Sequence, residues 1–293
     1  MNWWKSLKGK VKRREALSRH TSFRIGGKSD FFIEPEDNEY LRLLLTLAKK
    51  NKRKLLFMGS GSNILAKDPD IKKIVVHLNS GNFAKVKFEG NYCEAGSGVA
   101  LGQLIRQLSS RDLSGLEFLT GIPGTVGGAV MMNAGAWGKE IADSLVDVSV
   151  MDYNGNIKLL ARNKIKFAYR SSSLDKYIIL GARFKLNKAN PDQIKNRIGE
   201  YIKERRRSQD LGFPNAGCIF KNPRNASAGK LIDLCGLKGS RVGGAVISKK
   251  HANFILNINK AKASDVLKLM KLARIKVKRN FKVNLEPEIK IWG

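Results

Sequence analysis

The feature that most constrains this chain is its longest stretch without charge, the 21 residues from Phe118 to Gly138. Its length alone would suffice for a membrane span. However, it holds Pro123 and six glycines (121, 124, 127, 128, 135 and 138), and no continuous apolar run. Glycine at this density describes a backbone wound around something, because bare backbone can approach a ligand to van der Waals distance. Within it, Gly121-Ile122-Pro123-Gly124-Thr125-Val126-Gly127-Gly128-Ala129 puts four glycines and a proline into nine residues. Such a segment can offer N–H groups to a pyrophosphate. Asn133-Ala134-Gly135-Ala136 extends it.

A second small-residue loop, Gly59-Ser60-Gly61-Ser62-Asn63, follows the apolar run Leu55-Leu56-Phe57-Met58. It is neither a Walker sequence nor a dinucleotide fingerprint, since Ile64 stands where the latter wants its third glycine. By itself it reads equally as a phosphate-holding loop or a surface turn. Three further segments carry reactive side chains. Phe167 to Ser173 sets Arg170 among hydroxyls, and arginine suits a bidentate grip on a carboxylate. Gly217-Cys218-Ile219-Phe220-Lys221-Asn222-Pro223 places a thiol in a turn; on its own it reads as a small buried hydrophobe. Leu285-Glu286-Pro287-Glu288 brings two carboxylates to one rigid spacing.

Periodicity predicts a helix from about Asn38 to Lys50 capped by Asp37 or Asn38, and another with Leu101, Leu104, Ile105 and Leu108 on one face. Strands are expected at 54–58, 74–78, 146–150 and 177–186, with hairpins around Glu89-Gly90-Asn91 and Asn154-Gly155. After Ala189-Asn190-Pro191-Asp192 a basic helix is expected over about 193–207, and later a helix capped by Ser264. The expected fold class is α+β. Its divisions are a basic N-terminal segment over 1–19, a strand-rich domain over 20–187, and a smaller α+β domain over 188–293.

Lys and Arg number 55 against 25 Asp and Glu, a net +30. That charge attracts polyanions, yet it is spread along the chain and aromatics do not alternate with it as a nucleic-acid stacking platform requires. It reads as a lysine-rich solvated surface, with a polyanion-binding module as the alternative. From Lys260 to Lys282, nine basic residues face one acid, Asp265. Three cysteines (93, 218, 235) and three scattered histidines (20, 77, 251) supply neither a disulfide framework nor a metal site. No metal is expected, and the compartment is expected to be reducing. The N-terminus has charge but no apolar region behind it, so no secretory signal is expected.

Taken together, the ordered segments from His20-Thr21-Ser22-Phe23-Arg24-Ile25-Gly26-Gly27 to Leu285-Glu286-Pro287-Glu288 resemble the UDP-N-acetylenolpyruvoylglucosamine reductase family over nearly the whole chain. Between them stand the loops already quoted, Ala228-Gly229-Lys230-Leu231-Ile232-Asp233, Gly236-Leu237-Lys238-Gly239 and Ser248-Lys249-Lys250-His251-Ala252-Asn253. The resemblance implies a two-part FAD-binding domain of the vanillyl-alcohol-oxidase type followed by a smaller substrate domain. It implies a cytoplasmic UDP-N-acetylmuramate dehydrogenase of peptidoglycan synthesis, with non-covalent FAD, NADPH as reductant and a UDP-sugar substrate. No obligatory nucleic acid or protein partner is implied. FAD would lie on Gly59, Ser60, Gly61, Ser62 and Asn63, and on Gly121, Ile122, Pro123, Gly124, Thr125, Gly127, Gly128, Ala129, Asn133 and Gly135. Catalysis would fall to Arg170, Cys218 and Glu288, and substrate binding to Arg206, Gln209, Lys221 and Asn222.

Two departures from the family pattern matter. Cys218 stands where the family usually has a serine as proton donor. The span from Arg170 to Tyr177 is too short for the tyrosine-bearing insertion of some members, so the chain resembles the shorter type and no substrate-clamping tyrosine is assigned. A different flavin oxidase or dehydrogenase of the same fold is the other reading; the segments around Cys218 and Glu288 count against it.

Overall fold

The computed structural model describes residues 3–7 and 10–293. Met1, Asn2, Lys8 and Gly9 of the expected basic N-terminal segment lie outside the described residues. The chain forms two compact units, and each is discontinuous. The first takes in residues up to Arg13, Phe31–Ser60 and Lys73–Lys203. The second takes in Arg14–Asp30, Gly61–Lys72 and Glu204–Gly293. The expected cuts at 19/20 and 187/188 do not coincide with this division. Pairing between residues far apart in sequence, rather than succession along the chain, decides which unit a segment joins.

In the first unit, helix α1 (Asn38–Lys50) starts where Asp37 accepts the Tyr40 N–H at 2.7 Å. Leu41, Leu44, Leu45 and Ala48 form its buried face. They pack with Phe31, Ile33, Ile74 and Val76 of a four-stranded sheet ordered Lys10–Ala16, Lys28–Glu34, Ile71–His77, Leu55–Met58. Lys10–Ala16, within the expected basic N-terminal segment, is a strand of that sheet. It lies at the sheet edge, where exposed cations are tolerated and discourage further pairing. A larger antiparallel sheet follows, ordered Ile157–Ala161, Leu145–Met151, Ile178–Lys185, Tyr92–Gly96, Val86–Glu89. Its core is closed by helices α2 (Leu101–Ser109) and α3 (Val126–Met131), through Leu101, Leu104, Ile105, Leu108, Val126 and Val130. The basic helix α4 runs over Pro191–Ser208, two residues earlier than predicted.

The second unit packs α5 (Ala228–Leu234) and α6 (Ala263–Phe281) with the strands Arg241–Val242, Ala245–Ile247 and Ile255–Asn257. Lys290–Trp292 pairs in parallel with Ile64–Ala66. Ser264 does not cap α6 as predicted, since it lies inside the first turn. Asp265 reaches back to the Lys262 N–H at 3.0 Å, and Asp68 accepts the Ala263 and Ser264 N–H groups at 2.7 and 3.1 Å. Helix N-termini leave such donors unsatisfied, and a carboxylate there also meets the positive end of the helix dipole.

Candidate active site

Within the first unit, close packing brings three loops together. A Cβ on Gly59 would lie 2.4 Å from Thr125 Oγ1, and one on Gly127 would lie 2.8 Å from the Ser97 Cβ. These glycines therefore let the turn after Leu55–Met58, the turn after Tyr92–Gly96 and the start of α3 touch. The α3 amides are committed within the protein, contrary to the pyrophosphate role that the sequence suggests for them. Val126 N–H donates to Val99 O at 2.9 Å, Gly127 N–H to Ser97 O at 2.8 Å, and Gly128 N–H to Thr125 Oγ1 at 3.4 Å. Gly128 itself is exposed, and a Cβ there would meet only Thr125 Oγ1, at 3.6 Å. Two buried polar atoms in this region, Ser97 Oγ and Asn133 Oδ1, have no hydrogen-bond partner. Buried orphans of this kind call for a ligand. Small residues and unspent acceptors and donors fit a bound flavin nucleotide. Ser97 was missed by sequence reasoning; the signal was Gly96-Ser97-Gly98 directly after a strand.

Arg170 occupies the tip of a two-residue hairpin, with Phe167↔Ser172 and Ala168↔Ser171 paired beneath it. Its backbone is left-handed, at φ 53°, an uncommon conformation for a side-chain-bearing residue and one that clusters at functional sites. The guanidinium donates to Gly135 O at 2.9 Å and lies over the Tyr169 ring at 4.9 Å. Asn133 Nδ2 donates to Ala168 O at 3.3 Å and to Glu140 at 2.6 Å, and Ser172 donates to Met131 O at 2.9 Å. Arg170, Asn133 and Gly135 are thus brought together, and Asn133 anchors the hairpin as well as the glycine loop.

In the second unit, Gly217 adopts φ 71° and donates to Asn215 Oδ1 at 2.9 Å, which makes the turn that delivers Cys218. The thiol is half-buried. The strand-like residues after it are clamped by Asn253, 2% exposed. Its Oδ1 accepts the Phe220 N–H at 3.0 Å while its Nδ2 donates to Phe220 O at 2.8 Å. Asn253 is a positioning residue that lay unread in the segment after His251. On the other side, Glu288 N–H donates to Ile219 O at 2.8 Å and Lys221 N–H to Glu286 O at 2.9 Å. Cys218 and Glu288 are therefore brought together on paired backbone segments. Asn63 joins them, since its Nδ2 donates to Glu288 O at 3.2 Å. Lys221 is ion-paired with Glu286 at 3.8 Å, and Asn222 Oδ1 accepts the Ala228 N–H at 3.0 Å.

Arg206 is exposed at the end of α4, its carbonyl accepting from Lys250 Nζ, and Gln209 is half-buried. His251 packs on Phe254 at 4.7 Å with Nδ1 accepting the Asn253 N–H at 3.3 Å; burial holds its pKa below the ordinary value. A cavity of about 620 Å³ in this unit is lined by Arg24, Asp68, Phe213, Pro214, Lys260 and Lys262, and by none of the predicted site residues. No group of side chains able to hold a metal occurs among the described residues, and no described helix is long and apolar enough to cross a membrane.

Residues 209–292 match the family model described as "UDP-N-acetylenolpyruvoylglucosamine reductase, C-terminal domain", and residues 29–160 match one described as "FAD binding domain". The chain is 42% identical to UDP-N-acetylenolpyruvoylglucosamine reductase 2 of Symbiobacterium thermophilum, over 97% of this chain and 93% of that protein. It is 42% identical to the reductase of Geobacter metallireducens, over 98% and 95%. The crystal structure of the corresponding reductase from Thermus caldophilus superposes with a TM-score of 0.85 at 35% identity, covering 97% of this chain and 99% of that one. A berberine bridge enzyme variant shares the fold over 64% of this chain and 42% of its own, at 19% identity and a TM-score of 0.50.

Proposed function

The chain belongs to the UDP-N-acetylenolpyruvoylglucosamine reductase family, and on that premise we propose which of its residues carry the reaction. It is an FAD-containing, NADPH-dependent oxidoreductase that reduces the enolpyruvyl group of its UDP-sugar substrate to give UDP-N-acetylmuramate for peptidoglycan synthesis. When bound, the flavin supplies hydride transfer from NADPH to the terminal enolpyruvyl carbon. The loops at 59–63 and 121–135, with Ser97, hold it. The reducing cytoplasm is the compartment that a chain with three scattered cysteines and no disulfide framework suits.

Hydride addition leaves negative charge on the adjacent carbon and its carboxylate. Stabilisation is greatest when cationic groups are fixed before the charge develops. Arg170 fills this role, its hairpin already tied to Gly135 and Met131 through its own side chain and Ser172. Cys218 gives the proton that completes the new C–H bond, and Glu288 acts beside it as an acid or proton relay. Lys221 and Asn222, with Arg206 and Gln209, take the substrate's diphosphate. The Lys221–Glu286 pair is exposed enough to exchange, Glu286 being 76% accessible.

The observation that carries this reading is the backbone pairing that sets Glu288 beside the Cys218 segment. Stopped-flow absorbance tests it. Glu288→Gln is expected to let NADPH reduce the flavin at a near-normal rate while transfer to the substrate slows roughly 10²–10⁴-fold, the usual weight of general acid–base catalysis. Equal slowing of both half-reactions would sink the assignment and point to a folding defect.

A further inference from the structure

The outer face of α6 is a cationic stripe that nothing in the reductase reaction uses. Val266, Leu269, Met270, Ala273 and Val277 bury one side of the helix. On a helical wheel Lys268, Lys271, Ile275, Lys278 and Arg279 fall within an arc of about 100° opposite that side, and Lys282 follows as the left-handed C-cap. From Lys268 to Arg279 the line is about 17 Å long. Among the described residues none of these five cations is in an ion pair. The helix has one acid, Asp265, which is spent on its own N-terminus. The other long helices do otherwise: Arg42 pairs with Glu39 in α1, and Lys195 with Asp192 and Arg207 with Glu204 in α4. Like charges three and four residues apart weaken a helix, and Lys268 and Lys271 lie away from the C-terminal end that favours cations. At the centre of the stripe Ile275 is 55% exposed, and Phe281 at its rim is 36% exposed.

We propose that this face of α6 docks the enzyme, reversibly and without insertion of a span, on an anionic lipid surface. A straight, lysine-rich line with an apolar side chain at its middle matches a flat, negative headgroup layer whose acyl boundary accepts isolated apolar groups. Nucleic acid is the poorer match, because the stripe has one arginine and no aromatic ring at its centre.

Flotation of the flavin-loaded protein with phosphatidylcholine vesicles, with and without phosphatidylglycerol, tests this. Binding is expected only to the anionic vesicles and is expected to fall with added salt. Each lysine near such a surface contributes about fivefold in partitioning, so Lys268→Gln/Lys271→Gln/Lys278→Gln is expected to lose about a hundredfold. The same charge change made in the first unit, Lys50→Gln/Lys54→Gln/Lys87→Gln, is expected to leave most binding intact. Ile275→Ser keeps the charge and is expected to weaken the binding that survives in high salt. Flavin content and turnover in free solution are expected to match wild type in all variants. No binding to anionic vesicles would overturn the proposal. So would equal loss in both triple variants, or an oligonucleotide complex, tighter than the vesicle complex, that the α6 triple variant abolishes.

Discussion

A thiol in place of the family's serine is the residue whose chemistry matters most here. An ordinary thiol has a pKa of about 8.5 and releases its proton far more readily than an alcohol, but as thiolate it has none to give. If Cys218 protonates the substrate carbon, Cys218→Ala is expected to keep bound FAD and NADPH-driven flavin reduction and to lose most turnover. Cys218→Ser is expected to recover much of it. A cysteine that only packs gives the reverse order, since a buried hydroxyl without a partner costs about 1–3 kcal/mol. Steady-state assays of the two variants decide. Alkylating reagents are expected to inactivate, with substrate protecting, and to spare Cys93, whose thiol burial pushes up to about 12. His251 yields a different prediction. Burial lowers its pKa, so below about pH 6.5 the unfolded chain binds a proton that the native chain refuses. Stability is therefore expected to fall as pH drops through that range. His251→Gln is expected to flatten this part of a denaturation-versus-pH curve; an unchanged slope would remove the residue as its source.

At the level of elements, two adjacent glycines of α3 make contrasting predictions. An alanine normally stabilises a helix interior by roughly 0.5–1 kcal/mol over glycine. At Gly127 its Cβ would sit 2.8 Å from the Ser97 Cβ, so Gly127→Ala is expected to lower thermal stability of the flavin-free protein. At Gly128 the protein leaves room, so Gly128→Ala is expected to keep or raise that stability while lowering flavin occupancy. Loss of stability in both, with flavin affinity unchanged, would show that the cofactor does not lie on α3. Sequence periodicity is enough to read α1, α2 and the two hairpins, because their caps and turns are local. It misses the strand Lys10–Ala16, because an edge strand can carry charge along its length. It misplaces the α6 cap, because the carboxylate that completes it is Asp68, 195 residues away from Ala263. It reads the glycine loops as a candidate cofactor site, but it cannot tell glycines that face a ligand from glycines that face another loop. In the structure Gly59, Gly127 and the first α3 amides serve loop-on-loop packing.

For the whole molecule, which segments make up each unit is not legible in the sequence. Nothing local in Gly61–Lys72 announces that it joins residues beyond 204. Ile64–Ala66 waits for a parallel partner at Lys290–Trp292, 290 − 64 = 226 residues later. Ribosomes add about 5–20 residues per second, so the earlier strand spends roughly 10–45 s in the nascent chain before its neighbour exists. For that interval it is an uncapped edge next to Gly61-Ser62-Asn63, and Cys218 is made about two-thirds of the way through it while Glu288 comes only at its end. The second unit is thus completed late, whereas every segment of the first has been made once Lys203 is added. A ribosome paused between codons 66 and 290 holds a chain in which Ile64–Ala66 is an open template, the form in which chaperones, or another nascent copy, would meet it.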